Sequence, residues 1–341
     1  MKYLFPLVAV IVLARIAWVG STIPGMQNVF GIDVPYAALI LFIGGFCWRV
    51  VYWAKSPVPF KIPTTCGQGY SMPWIKRNKL EAPKNTTEVI GRLFMEIVFF
   101  RSLWRNTKAS MQPGPVLTYR STRWLWLFGI VFHYSMLIIL LRHLRLFVEP
   151  VPFLISALDA FDGLALNPTP ELSLYVTDGL ILLGLLALLL RRFLLRPVRY
   201  ISLVNDYFPL FLLIGIAVSG ISMRYFLRSG VDIIAIKQLL VGLATFKPEI
   251  TTEIAPIFYT HLFLVSCLLA YFPFSKLMHM GGVFMSPTRD MANDSRMKRH
   301  INPWNPDIKP HSYASYEDEF REDMVEQGIP VDKELPEKAE D

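Results

Sequence analysis

Four histidines stand in stretches of sequence apolar enough to lie inside a lipid bilayer: His133 and His143, ten residues apart, and His261 and His279, eighteen apart. Two more, His300 and His311, fall in a polar tail. Ionisable residues within membrane segments are costly and mark cofactor, proton or ion sites. A neutral imidazole can offer one ring nitrogen to a metal, so histidines facing each other from two helices can supply both axial ligands of a non-covalently held haem. At about 100° per residue, eighteen residues close five turns and set His261 and His279 on one face; ten residues put His143 about 80° round from His133. Any one of these histidines is equally explained by a hydrogen bond at the membrane interface. The joint arrangement points to ligation. A proton relay through a channel or transporter is the competing chemistry, but no internal repeat accompanies it. A purely structural membrane anchor is a third reading.

The elements that must position these residues follow from hydropathy. Of the 341 residues 53% are apolar, and they cluster. Six stretches, at about Tyr3–Val19, Val34–Trp53, Trp124–Phe147, Leu172–Leu195, Tyr207–Leu227 and Ile254–His279, are each suited to cross a hydrocarbon core about 30 Å thick. Backbone in lipid must satisfy its own hydrogen bonds, so an all-α integral membrane protein of six transmembrane helices is expected, with a dihaem bundle of four to five of them. The first stretch follows Lys2 and is short enough to suggest a signal peptide. Arg15 interrupts it, however, and no small-residue cleavage site follows, so a retained helix is expected.

The net charge of +7 is unevenly placed. Residues 55–123 hold twelve Lys and Arg against three acidic residues, and Arg191, Arg192, Arg196 and Arg199 follow the fourth stretch. The connections 20–33 and 148–171 hold no Lys or Arg, and the fifth-to-sixth connection balances Arg228, Lys237 and Lys247 against Asp232, Glu249 and Glu253. This is the positive-inside pattern rather than a nucleic-acid surface, and it places both termini in the cytoplasm of a multi-pass inner-membrane protein.

Four regions result: two N-terminal helices in 1–54, a basic cytoplasmic loop in 55–123, the dihaem region in 124–285 and a cytoplasmic tail in 286–341. The loop opens on Pro57, Pro59 and Pro63, then carries the apolar-basic run Val89–Phe100, suited either to the headgroup layer or to a docking partner. In the tail, Ser315-Tyr316-Glu317-Asp318 resembles a capping box, with Tyr316, Phe320 and Met324 at helical spacing before Gly328. Such a helix should lie on a partner protein or stay mobile.

The third stretch runs outward and the sixth inward, so His133 is expected opposite His279 at the inner level and His143 opposite His261 at the outer. Straight parallel helices cannot deliver both, since ten residues rise about 15 Å and eighteen about 27 Å. Pro273 lies between His261 and His279 and removes a backbone bond to Leu269, so a kink is expected there. Arg142 and Arg145, beside His143, and Lys276, before His279, are candidate partners of haem propionates, although such residues also anchor helices at interfaces. Gly129, Gly215 and Gly220 either leave room for a macrocycle or make helix contacts. Cys47, Cys66 and Cys267 are too scattered for a cluster, and no C-x-x-C-H motif is present.

The histidine intervals, ten on one helix and eighteen on a later one, resemble those of the gamma-subunit family of respiratory nitrate reductase over about residues 34–285. Cys66-Gly67-Gln68-Gly69-Tyr70, the ending Phe284-Met285-Ser286-Pro287-Thr288-Arg289 and the extra first helix resemble its DsrM branch, the membrane cytochromes b of DsrMKJOP complexes in sulfate- and sulfite-reducing organisms. The resemblance implies two haem b groups, menaquinone exchange near the outer one, and electron transfer to or from a DsrK-like cytoplasmic iron–sulfur partner among other DsrMKJOP subunits. DsrK is related to the catalytic subunit of heterodisulfide reductase. The alternative is a gamma-type anchor of another quinone-linked reductase, of nitrate reductase or heterodisulfide reductase type. The family uses a lysine in the outer connection for quinol, and residues 148–171 have none. Arg142, Arg145, Glu149 and Asp159 are the candidates in its place.

Overall fold

A computed structural model describes residues 2–56, 74, 76–114, 116–165, 173–227, 231–251, 253–293 and 309–333. Pro57, Pro59, Pro63, the run from Cys66 to Tyr70, Arg228, Arg296, Lys298, Arg299 and His300 lie outside those residues. The chain begins with α1 (Leu4–Ser21); α2 (Met26–Asn28) then passes through a π turn at Val29–Asp33 into α3 (Val34–Ala54). Next come α4 (Thr86–Phe99), α5 (Arg101–Arg105), the strands β1 (Thr107–Gln112) and β2 (Val116–Ser121), and α6 (Arg123–His143). The connection after α6 holds α7 (Phe153–Asp162), β3 (Gly163–Ala165) and β4 (Ser173–Tyr175) before α8 (Val176–Leu194), α9 (Arg196–Ile201) and α10 (Val204–Tyr225). Then follow α11 (Ile233–Ala244), α12 (Pro256–Tyr271), α13 (His279–Gly282), α14 (Pro287–Asp290) and α15 (Tyr313–Glu326).

Among the described residues five helical segments are long and apolar enough to cross a membrane: Leu4–Ser21, Met26–Ala54, Arg123–Leu146, Val204–Tyr225 and Pro256–Phe274. The remaining expected span, α8, is 19 residues long and carries its charges at its ends, Asp178 in the first turn and Arg191 and Arg192 in the last. Asp178 accepts from the Tyr225 hydroxyl at 2.8 Å, joining the start of α8 to the end of α10.

These helices form a bundle with an asymmetric interior. α12 packs on α1, α3 and α10, while α6 packs along α8, which in turn packs on α10. Val10, Leu212 and Leu264 form one core, and Ile181, Leu185 and Leu213 another. α6 does not pack along α12 as these pairs do. The two helices that carry three of the four histidines are thus held in one bundle through α8 and α10 rather than by direct contact. α1 buries Val10 and Ala17 but leaves Ile11, Val12, Ile16 and Arg15 on its outward side.

The all-α expectation omits two small antiparallel ladders. β1 and β2 pair from Thr107↔Ser121 to Gln112↔Val116. Pro113-Gly114 turns the chain, with Gly114 at φ +85°, a conformation that glycine adopts without steric cost. β3 and β4 pair over three residues in the connection between α7 and α8. The fifth-to-sixth connection is not a bare loop either. Asp232 caps α11, and Ala235, Ile236, Leu239 and Leu240 bury against Ala17, Phe30, Phe258 and Tyr259. Twelve residues rise only about 18 Å, too short to cross, so this apolar helix covers the end of the bundle instead.

The expected apolar-basic segment is α4, with an inverted face. Val89, Arg92 and Glu96 are buried, while Ile90, Phe94, Ile97 and Phe99 are exposed. Glu81 organises the buried side: Arg101 bonds it at 2.7 Å, Arg105 also pairs with it, and Arg92 donates to its carbonyl at 3.0 Å. α14 packs on α4, and the Asn293 amide donates to the Pro83 carbonyl at 2.6 Å, so residues 287–293 join the loop rather than a free tail.

In the tail, Ser312 rather than Ser315 caps α15, accepting from the Ser315 amide at 3.2 Å. Met324 is buried within the chain itself, whereas Tyr316 and Phe320 are exposed. The side chain turned inward is Glu317, which accepts from the amides of Asp332 and Lys333 at 2.8 and 2.9 Å. Gly328, at φ +69°, ends the helix and returns the chain for those bonds.

Burial raises the Glu81 pKa, but the Arg101 bond and the charges of Arg101, Arg105 and Arg92 outweigh it and hold the carboxyl below its ordinary value. A depressed carboxylate stabilises the fold above its unfolded pKa and loses that contribution as pH falls through the folded one. Glu81→Gln is therefore expected to raise amide hydrogen exchange across 86–105 by about tenfold or more at pH 7. The difference between wild type and variant should vanish at pH values well below 4.5.

Candidate cofactor site between α6 and α12

The structure brings the four membrane histidines into two facing pairs. The rings of His133 and His279 have centroids 6.0 Å apart with planes at 81°. Those of His143 and His261 are 6.4 Å apart with planes at 13°. A first-row metal ion lies about 2 Å from a ligating imidazole nitrogen and the ring centre about 1 Å further back, so two rings trans across one metal have centroids about 6 Å apart. Both pairs have that spacing.

Each ring also has its other nitrogen engaged. His133 Nδ1 lies 2.7 Å from the Gly129 carbonyl, His143 Nδ1 2.7 Å from the Ile139 carbonyl, and His279 Nδ1 2.8 Å from the Lys276 carbonyl. A carbonyl can only accept, so in all three the proton sits on Nδ1. His261 Nδ1 lies 2.9 Å from Ser219 Oγ, whose own hydrogen is given to the Ile216 carbonyl at 2.9 Å. Ser219 must therefore accept as well. All four rings are fixed as the Nδ1–H tautomer with the Nε2 lone pair available, the orientation that supporting hydrogen bonds give metal-ligating histidines. The donor set thus fits two bis-histidine iron porphyrins, and His133, His279, His143 and His261 are the residues that would hold them.

The interval mismatch is resolved by a break in the sixth span. α12 ends at Tyr271; a 3-10 turn at Phe272–Phe274 follows, Ser275 is extended, a second turn covers Lys276–Met278, and His279 opens α13. His279 therefore lies past the continuous span, and the argument that eighteen residues close five turns does not apply to it. Ten residues of straight α6 and ten of α12 each rise about 15 Å, so the segment after Tyr271 brings His279 back to the level of His133 with little further advance. α3 packs tightly against this break: a Cβ on Gly45 would stand 2.8 Å from Pro273 Cβ, which only glycine avoids. Asp206, at the start of α10, accepts from Lys276 Nζ at 2.6 Å and from the Leu203 amide at 3.0 Å, tying the His279 segment to α10.

Of the three glycines, Gly220 borders the site, since a Cβ there would lie 3.1 Å from His261 Cε1. Gly129 supplies the carbonyl for His133, and Gly215 faces Val10 and Leu264 in a helix contact. Sequence reasoning passed over Ser219, detectable as a hydroxyl in the middle of an apolar helix. It also passed over Phe100, whose ring meets His133 edge-on at 5.0 Å from a left-handed backbone at φ +49°. Such strain persists where the surrounding structure enforces it, often at functional sites.

At the His143/His261 end, Arg142 turns into the protein. It donates to Asp159 at 2.9 Å, to Asp162 at 2.6 Å and to Thr177, and its guanidinium lies 3.3 Å from the centre of the Tyr175 ring. Arg145, about half exposed, donates to Asp159 at 3.2 Å. Lys237 of α11 pairs with Glu149, so a lysine does reach the connection between α6 and α8, from a different element.

Residues 97–293, which include all four histidines, match the nitrate reductase gamma subunit family. The chain is similar to the Hdr-like menaquinol oxidoreductase cytochrome b-like subunit of Archaeoglobus fulgidus, 47% identical over 288 residues that cover 82% of this chain and 84% of that protein. It is also similar to the protein of the same description from Archaeoglobus profundus, 41% identical over 281 residues, covering 80% and 82%.

Asp162 is nearly inaccessible and is the closest anion to the buried Arg142. Asp162→Ala leaves that cation without its nearest partner and is expected to destabilise the protein by about 3–5 kcal/mol. Thermal unfolding in detergent checks this, and Arg142→Met combined with Asp162→Leu should restore much of the loss.

Proposed function

The chain belongs to the nitrate reductase gamma subunit family, and from that premise we propose that it is the dihaem, quinone-linked cytochrome b subunit of a membrane oxidoreductase. The observation that carries this reading is the double histidine pairing, each pair about 6 Å across with Nε2 free on all four rings. Bound haem would supply one-electron redox chemistry; the protein would supply ligation, spacing and a low dielectric. The two sites stand about 15 Å apart along α6, from ten residues of helix, which places one toward each membrane face.

The charge distribution supports an orientation with the His133/His279 site toward the cytoplasm and both termini there. The His143/His261 site then faces the outer side, where menaquinol is exchanged. Glu149, Lys237, Arg145 and Asp159 are among the acidic and basic side chains at that end. Asp159 is engaged by two arginines, whereas Glu149 is largely exposed and among the described residues pairs with Lys237 alone, which makes Glu149 the carboxylate suited to take a quinol proton. Arg145, on the same side, is the more accessible of the two arginines for an outer propionate.

In the finer reading the protein is DsrM-like, part of a DsrMKJOP-type complex in sulfate or sulfite respiration, with a DsrK-like iron–sulfur subunit on the cytoplasmic side. The Hdr-like description of both Archaeoglobus relatives favours a partner of heterodisulfide reductase type over the nitrate reductase type.

Haem content of single variants tests the pairing. His143→Ala and His261→Ala should each lose the same haem, and His133→Ala and His279→Ala the other, as read by pyridine haemochrome stoichiometry and redox titration. Loss of one and the same haem from His133→Ala and His261→Ala would contradict the assignment.

A further inference from the structure

An open cavity of about 320 Å³ adjoins His279 where α3, the start of α10 and the break after α12 meet. Arg49, Trp53, Asn205, Lys276, Met278 and His279 are among its walls. Its two cations differ in what they have to bind. Lys276 is neutralised by Asp206 at 2.6 Å. Arg49 lies over the Trp53 ring at 5.5 Å, its Nε is buried without a hydrogen-bond partner, and among the described residues no carboxylate pairs with it. A guanidinium on a membrane helix with a buried, unsatisfied N–H is costly unless an anion meets it.

We propose that Arg49, assisted by Asn205, binds a carboxylate of the group that His279 ligates, so that this cavity is the propionate site of the haem at the His133/His279 end. The inference rests on the dihaem reading above. Three features select this ligand. The His279 ring forms part of the wall, so an occupant of the cavity lies beside whatever His279 holds. The volume suits a short acidic arm with water, not a second macrocycle. The planar guanidinium fork matches a carboxylate with two parallel bonds. Arg49 stands in α3, outside the family-matched residues 97–293, so the N-terminal helices contribute to the cofactor site instead of merely flanking it.

The test uses the full chain purified with its haems. His279→Ala identifies the inner haem as the one that is lost. Arg49→Gln should shift the midpoint potential of that haem to lower values, because a positive charge beside it is gone, and should move its propionate-bending band in resonance Raman spectra. The outer haem should be unchanged, and Arg49→Lys should recover the midpoint while still altering the band. Wild-type midpoints together with a wild-type band in Arg49→Gln would overturn the proposal. If Arg49→Gln fails to accumulate, the band in Arg49→Lys decides alone: displaced supports the site, unmoved overturns it. Wild-type protein that binds no haem would instead sink the dihaem reading on which the proposal stands.

Discussion

Inside a bilayer an imidazole has no water to satisfy its N–H, so the chain must provide an acceptor, and the acceptor it provides decides what the ring can do. Three rings here use backbone carbonyls three or four residues earlier in the chain, and the fourth uses Ser219. Each bond removes one tautomer and leaves Nε2 free on rings that are paired between α6 and the α12 segment. The rest of the structure serves that pairing. α8 and α10 link the two halves, Gly220 clears the space around His261, and Phe100 bears on His133 from the extramembrane loop.

The break after Tyr271 belongs to the same logic. An unbroken helix would carry His279 about 12 Å beyond the level of His133, since eight further residues rise 1.5 Å each. Pro273 cannot continue the backbone ladder, Ser275 goes extended, and Asp206 and Gly45 hold the displaced segment from α10 and α3. The placement of His279 opposite His133 is thus maintained by two helices that carry neither histidine.

Much of this was legible in the residues. Hydropathy placed the long helices because an apolar run of about twenty residues can satisfy its backbone in lipid by itself only as a helix, and histidine in such stretches is rare enough to stand out. What stayed hidden had weaker signals. The β1–β2 hairpin rests on Pro113-Gly114 and a short polar alternation inside a long loop. α11 is apolar but too short to read as a span. The burial of Arg92, Glu96 and Glu317 inverts the pattern that amphipathic periodicity suggests, because their partners, Glu81, Ser102 and residues 332–333, are brought together only by tertiary folding. Arg142, read from sequence as a cofactor contact, is held by Asp159 and Asp162 of α7, a helix not visible in the hydropathy. The role drawn here for Arg49 depends on a cavity that no local pattern announces.

The two pairs differ in ring orientation, near-perpendicular for His133/His279 and near-parallel for His143/His261. Perpendicular axial imidazoles leave the iron dπ orbitals nearly degenerate and give a highly anisotropic low-spin ferric signal, whereas parallel ones split those orbitals and give a rhombic signal. Electron paramagnetic resonance of the oxidised protein therefore tests the account most directly. Two low-spin species are expected, the highly anisotropic one missing from His279→Ala and the rhombic one missing from His261→Ala. A preparation with no low-spin ferric haem, or with both species surviving those substitutions, would contradict it.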